Sequence, residues 1–422
     1  MESIERTTAI GIDLRDDISE ISYCRHGEMN VITYSYVADG EDFEIPTAAC
    51  YSKEDERWFY GREAVELSEK SGAILINSLV TKALAGGRVF YNDNDGIDSV
   101  KLLGMFILYC LSVPGELSVY DTAALVITVE EVIAELPKVL DKALQRIKGE
   151  ISTVRYMGHE ESFFYYAMSQ PIELWQRGVV LYDYGRKSFK RERLMINSQY
   201  NPATVFTDEK SFDDMIPFKK EEEERFDNMF REISENEFVS DTASAVYLTG
   251  DIFRGRWADK TFRFLCTKSR VFVGQNLYTK GACFAAADLS GWTRLGSRYI
   301  FMDETRLHSS ISARTVYAER EGIVPLVSAG ISWYDVDASA EFMLSSDRRI
   351  ELLIQGDEDE GERNALIRCD WIPERPERAS RILMHLSCPV KNQLKVEITD
   401  LGFGEIFRST GLTKEEIVNL ED

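Results

Sequence analysis

The chain has no Cys-x-x-Cys pair, and its seven cysteines are an odd number. That argues against a zinc site and against a disulfide framework. Cys110, Cys266 and Cys283 sit in apolar runs and read as core residues. Histidine is scarce. His26, His159, His308 and His385 lie far apart, without the spacing of a metal pair or a catalytic triad, so a hydrolase reading has no support. Long apolar runs are missing too. The longest, Met105 to Leu111, is far too short to span a bilayer. The first residues include Glu2 and Glu5 and lack a signal core. Positive charge is in deficit: 49 Lys and Arg stand against 72 Asp and Glu in 422 residues, a formal charge of −23. Such a surface repels nucleic acid and anionic lipid, which excludes both as partners. The expected setting is reducing and cytoplasmic.

What is present is an ordinary globular composition, 44% hydrophobic and 29% charged, at a length that suits two or three domains. Three segments stand out: Ala9-Ile10-Gly11-Ile12-Asp13-Leu14, Gly178-Val179-Val180-Leu181-Tyr182-Asp183-Tyr184-Gly185, and Val246-Tyr247-Leu248-Thr249-Gly250-Asp251-Ile252-Phe253-Arg254. Each is an apolar, β-branched run ending at Asp or Gly, and so reads as a buried strand delivering a turn to a sheet edge. Two carboxylates and one glycine turn delivered this way suit a phosphate-plus-metal site between two α/β lobes.

Residues 7–36 read as three strands with a Gly27–Asn30 hairpin. Asp98 to Ser112 reads as a buried helix, and Glu130 to Ile147 as a second one that Pro137 kinks. Glu161 to Met168 reads as a third. Lys219 to Ile233 reads as a charged helix with Phe226, Met229 and Phe230 turned inward. After about residue 290 helical periodicity gives way to short strands, from Arg298–Met302 and Ser310–Glu319 through Leu394–Thr399, which predicts an antiparallel sandwich. Asp357-Glu358-Asp359-Glu360 reads as a solvated hairpin tip, and Thr413 with Glu416 as a capping box opening a helix.

The order of these segments resembles the actin-like ATPase superfamily, and within it the seventy-kilodalton heat-shock chaperones. The resemblance implies a two-lobed α/β actin-like ATPase domain over residues 1–290. It implies a substrate-binding-like antiparallel β-sandwich over 298–410 and a remnant of the helical lid over 411–422. Supporting stretches are Val80 to Gly86, His159-Glu160-Glu161-Ser162, and Tyr278 to Cys283 at the last connecting helix. The resemblance places Lys82, Glu160 and Asp183 in catalytic positions. Asp13, Gly185, Arg186, Ser188, Gly250 and Arg254 become nucleotide contacts, and Asp13 with Asp183 become holders of Mg²⁺ for ATP or ADP.

Several positions depart from that pattern. Arg15-Asp16-Asp17 puts two carboxylates where hydroxyls should face phosphates, and two glycines of the second hairpin are Arg186 and Lys187. Lys190 replaces that hairpin's second carboxylate, and the interval from Asp183 to Gly250 is too short for an adenine-covering subdomain. The connector, Ala287 to Arg294, is atypical, with Trp292 as its boundary-packing residue. The expectation is a degenerate chaperone-like protein acting through protein or peptide contacts, with weak or absent ATP binding. The rival is an active Mg-ATP-dependent ATPase with a rebuilt site. A filament subunit is disfavoured, because the bulky β half would have to fit at every repeat.

Overall fold

The computed structural model describes residues 6–38, 40–92, 94–115, 117–199, 202–239, 242–303, 305–317, 320–356, 361–377 and 379–420. The expected acidic tip at 357–360 lies outside them, as do Glu2, Glu5 and the final two residues. The chain divides into two compact units, Met1–Phe301 and Met302–Asp422. Among the described residues no helix is long and apolar enough to cross a membrane.

In the first unit Thr8–Leu14 (β1), Ile18–Arg25 (β2), Glu28–Thr33 (β3), Thr122–Val129 (β4) and Thr153–Gly158 (β5) form a sheet in the order β3-β2-β1-β4-β5. β1 to β3 are antiparallel, whereas β4 joins β1 and β5 joins β4 in parallel. Val179–Tyr184 (β6), Phe189–Asn197 (β7), Ala203–Ser211 (β8), Ala245–Thr249 (β9) and Arg270–Val273 (β10) form a second sheet, ordered β8-β7-β6-β9-β10. Its strand directions are the same. One topology therefore occurs twice.

Parallel neighbours need crossovers, and helices supply them. In the first half Leu79–Ala85 (α1) and Ser99–Ser112 (α2) precede β4, Leu136–Ala143 (α3) precedes β5, and His159–Met168 (α4) follows it. In the second half Glu223–Glu237 (α5) precedes β9, Asp259–Lys268 (α6) precedes β10, and Leu277–Leu289 (α7) follows it. Among the described residues the Asp183–Gly250 interval thus holds β7, β8, short turns, α5 and β9. All seven residues of β1 are buried, as a strand covered on both faces requires. The Asp98 carboxylate accepts from the Lys101 amide and starts α2, which is apolar nearly all round. α3 is shorter than periodicity predicts. Pro137 lies in its first turn, where its missing N–H costs nothing, so it opens the helix instead of kinking it. α5 turns Phe226 and Phe230 inward, with Met229 half-covered. Cys110 and Cys283 are buried, but Cys266 is exposed on the solvent face of α6.

α4 and α7 cross closely. A Cβ at Gly281 would lie 2.6 Å from Ser162 Oγ, and one at Gly11 would lie 2.8 Å from the Ala282 backbone, so glycine brings α7 onto both α4 and β1. Around this crossing Val126, Phe163, Leu181, Tyr247 and Ala282 make one core out of both halves. Tyr299–Phe301 (β11) pairs with β8, so the strand expected to open the β half closes the first unit instead. Trp292 lies on His26, ring centres 5.0 Å apart, within that same unit.

The second unit consists of Ser310–Tyr317 (β12), Arg320–Val327 (β13), Asp337–Met343 (β14), Arg349–Gln355 (β15), Glu362–Arg368 (β16), Arg381–Val390 (β17), Gln393–Gly402 (β18) and Thr413–Asn419 (β19). They form two four-stranded antiparallel sheets, β13-β12-β15-β16 and β14-β17-β18-β19. β17 and β18 alternate strictly, burying Ile382, Met384, Leu386, Leu394, Val396 and Ile398. The expected lid helix over 411–422 is instead β19, zipped along β18 from Thr399–Thr413 to Gln393–Asn419. Ladder bonds to β18, the Thr399–Thr413 hydroxyl contact and the Lys395–Glu415 ion pair at 2.9 Å outweigh a local capping signal.

Candidate functional site

β1 and β6 begin the two halves, and each ends near an aspartate: Asp13 on β1 and Asp183 on β6. α4 and α7 finish the halves, and each starts with an aromatic ring: His159 opens α4 and Tyr278 is the second residue of α7. Within each half the helix-start ring bonds the strand-end carboxylate. His159 Nε2 lies 2.8 Å from Asp13 Oδ1, and because an ionised carboxylate only accepts, that nitrogen carries the hydrogen. The Tyr278 hydroxyl donates to Asp183 Oδ2 at 2.7 Å. The two rings then stack on each other, centres 3.9 Å apart and planes 7° from parallel. The result is a chain Asp13–His159–Tyr278–Asp183 with approximate two-fold character, joining the two halves.

Charge around this chain is mostly negative. Burial alone would raise the Asp13 carboxyl, but His159 and Arg15 outweigh it and hold Asp13 below the ordinary range. Arg15 Nε is 3.3 Å from Asp13 Oδ2. Burial opposes the Arg15 charge, yet Asp13, Glu20, Asp17 and Asp183 together raise its pKa. Glu20 stands opposite Asp13 across the β1–β2 register, and burial and then Asp13 push it up to about 8. Glu192 on β7 is pushed well up by burial and by Glu160, Asp183 and Glu209. Burial raises Asp183 as well, against the pull of Tyr278, His159 and Arg15. Glu20 Oε2 and Glu192 Oε2 are buried without a hydrogen-bond partner, as protonated carboxyls tolerate far better than ionised ones.

Asp13, Asp183, Glu160 and Gly250 are gathered in this region. Glu160, next to His159, accepts from the Thr207 hydroxyl on β8. Gly250 has φ +98°, and a Cβ there would lie 2.8 Å from Asp183 Oδ1 and 2.5 Å from the Tyr184 carbonyl carbon. Its bareness therefore admits the protein's own second hairpin. Gly185 and Ser188 close that hairpin, Gly185 N donating to Ser188 O at 3.0 Å, and Arg186 is 83% exposed beside Asp251. Arg254 reaches across to Glu44 of the first half. Lys82 is not gathered in: its ammonium donates to the Asn77 carbonyl at 2.6 Å.

Asp16 and Asp17 also depart from expectation. Asp16 turns away to accept from the Val80 and Thr81 amides at the start of α1, while Asp17 is exposed and accepts from its neighbour Ile18. Sequence reasoning missed Arg15, His159, Tyr278, Glu20 and Glu192 as site residues. Arg15 had one signal, a cation between carboxylates in a hairpin. His159 and Tyr278 had none, because only the fold stacks them.

No curated protein aligns with the chain. Residues 306–420 match a domain of unknown function, DUF8552. Residues 30–304 match the C-terminal part of a family of unknown function, DUF5716. That match spans well over half of the chain and takes in nearly all of the duplicated unit, and the chain thus belongs to the DUF5716 family.

Proposed function

We propose that the first unit is an actin-like ATPase fold, of the kind found in seventy-kilodalton heat-shock chaperones, whose nucleotide cleft has become a structural joint. On this reading the protein is chaperone-like, binds ATP and hydrolyses it weakly or not at all, and acts in the cytoplasm through protein or peptide contacts. The observation that carries it is the chain Asp13–His159–Tyr278–Asp183. The two carboxylates that would face Mg-nucleotide are bonded by the protein itself, within a doubled sheet order that suits such a fold.

Mg²⁺ and a triphosphate do not fit the residues present. Mg²⁺ is held by carboxylates that keep lone pairs and waters free for it. Here Asp13 is shared between His159 and Arg15, and Asp183 accepts from Tyr278. Among the described residues no group of three or more His, Cys, Asp and Glu side chains is arranged to hold a metal ion.

Peptide binding is supported by the second unit, read as a sandwich. β13 is an edge strand with Ile323 58% and Val324 37% exposed, and β12 beside it exposes Val316 at 73%. An open edge with apolar side chains suits strand addition by an extended peptide. The test is calorimetric titration of the full chain with Mg-ATP and Mg-ADP. The expected result is no heat and an unchanged melting temperature at millimolar nucleotide. Micromolar binding that Asp183→Ala abolishes would restore the active-ATPase reading.

A further inference from the structure

We propose that Arg15 is the resident cation of this cleft, standing in for a divalent ion between the strand-end carboxylates of the two halves. The inference rests on reading the cleft as a degenerate nucleotide site. Arg15 is the first residue after β1, and its Nε points at Asp13 Oδ2 from 3.3 Å. That nitrogen is buried and makes no hydrogen bond of good geometry, so the contact is chiefly one of charge with charge. The same guanidinium interacts electrostatically with Glu20 on β2 and Asp183 on β6, carboxylates from both sheets, as well as with Asp17 beside it.

An ion bridging Asp13 and Asp183 would do the same work, except that a divalent ion is exchangeable and Arg15 is not. The guanidinium stays charged at any physiological pH. Asp13 and Asp183 each use their other oxygen or their one bonded oxygen on a ring from the same half, so the arrangement needs no ligand to complete it. About a third of the Arg15 side chain, 31%, still reaches solvent. Truncating it would open a path from solvent to the carboxylates.

The experiment compares thermal unfolding of the full chain as wild type, Arg15→Ala and Arg15→Lys, with Mn²⁺, with Mg²⁺, and with NaCl of equal ionic strength. Removing the charge should lower the melting temperature by about 5 to 10 °C, since the carboxylates lose their counter-ion. Millimolar Mn²⁺ or Mg²⁺ should restore at least half of that drop, and NaCl should not. Arg15→Lys should fall less and respond little to the metals. Electron paramagnetic resonance should detect Mn²⁺ uptake by Arg15→Ala and none by the wild type.

An Arg15→Ala chain that melts with the wild type overturns the proposal, as does one that the metals do not rescue. Mn²⁺ uptake by the wild type overturns it without any variant, should Arg15→Ala not fold. Nucleotide binding by the wild type, alongside metal rescue of Arg15→Ala, would sink the degenerate-ATPase reading while leaving the role of Arg15 standing.

Discussion

Glu20→Gln should make the first unit more stable at alkaline pH and remove part of its pH dependence. The Glu20 side chain is 1% exposed, faces Asp13 across the β1–β2 ladder, and is pushed up to about 8 from an ordinary 4.5. A raised carboxyl means that the folded state keeps a proton that the unfolded chain releases. Between these two values the folded state binds more protons, so stability falls as pH rises and levels off above about 8. At about 1.4 kcal/mol per pH unit, this single group costs roughly 3 kcal/mol between about pH 5 and pH 8. Glutamine has the shape of the protonated acid and cannot ionise. The groups facing it are Asp13, Arg15, Glu44, Arg254 and Lys280. Of these, Arg15, Arg254 and Lys280 favour the ionised form in the wild type and so reduce the effect. Guanidinium unfolding of both chains at about pH 5 and about pH 8 gives the comparison. The two should be close at the lower pH, with the variant ahead by about 2 to 3 kcal/mol at the higher. Glu192, also raised, leaves some slope in the variant. An equal loss of stability with pH in both chains would refute the assignment of a held proton to Glu20.

Two further substitutions test the joint and the second unit separately. Gly250→Ala combines a φ of +98° with a Cβ only 2.5 Å from the Tyr184 carbonyl carbon, so it should cost about 3 kcal/mol or more, read as lost soluble yield or a lowered melting temperature. Arg375→Met removes the partner of Asp400, which is 0% exposed and bonded at 2.7 and 2.8 Å by the two guanidinium nitrogens. The cost should be about 3 to 5 kcal/mol. Proteolysis should then begin between residues 302 and 420, and protection that stays level with the wild type there would count against this account.

Legibility followed the range of the physics. The strands carrying Asp13 and Asp183 could be read because an apolar run that ends at a carboxylate is a local pattern, and so could α2, whose Asp98 cap lies three residues from the amide it accepts. α3 was misjudged because proline has opposite effects in a first turn and in an interior, and periodicity alone does not say where the first turn falls. β19 failed for a different reason. Thr413-Lys414-Glu415-Glu416 offers a helix start, but the free edge of β18 offers seven paired positions, and nothing in the local segment reports that edge. The candidate site failed in the same way. His159 and Tyr278 belong to corresponding helices of two halves, and their stacking is visible only once one topology is seen to repeat. Arg15 was missed because an arginine in a hairpin does not report which carboxylates the fold will bring to it. Its neighbours do: Asp13 lies 3.3 Å from its Nε, and Glu20 and Asp183 interact with it electrostatically.

A cleft that closes around a ligand draws part of its closing free energy from that ligand, about 4 kcal/mol when the ligand is a thousandfold above its dissociation constant. On the proposed reading this protein draws it from its own side chains: His159 on Asp13, Tyr278 on Asp183, Arg15 between carboxylates, and Arg254 on Glu44. The first two are hydrogen bonds to buried carboxylates and the third is a charge–charge contact, and burial makes the loss of each costly. Such closure does not vary with nucleotide concentration. What it retains is sensitivity to protons, because Glu20 and Glu192 are held above their ordinary values inside the same joint. Raising the pH therefore loads the joint with charge that Arg15 offsets, together with Arg254 and Lys280 at Glu20 and Lys190 at Glu192. The Arg15→Ala chain should accordingly be more pH-sensitive than the wild type, the opposite of Glu20→Gln. If Glu20→Gln stabilises the Arg15→Ala chain by more than it stabilises the wild type, the two residues act on one charge balance, and equal gains in the two backgrounds would separate them.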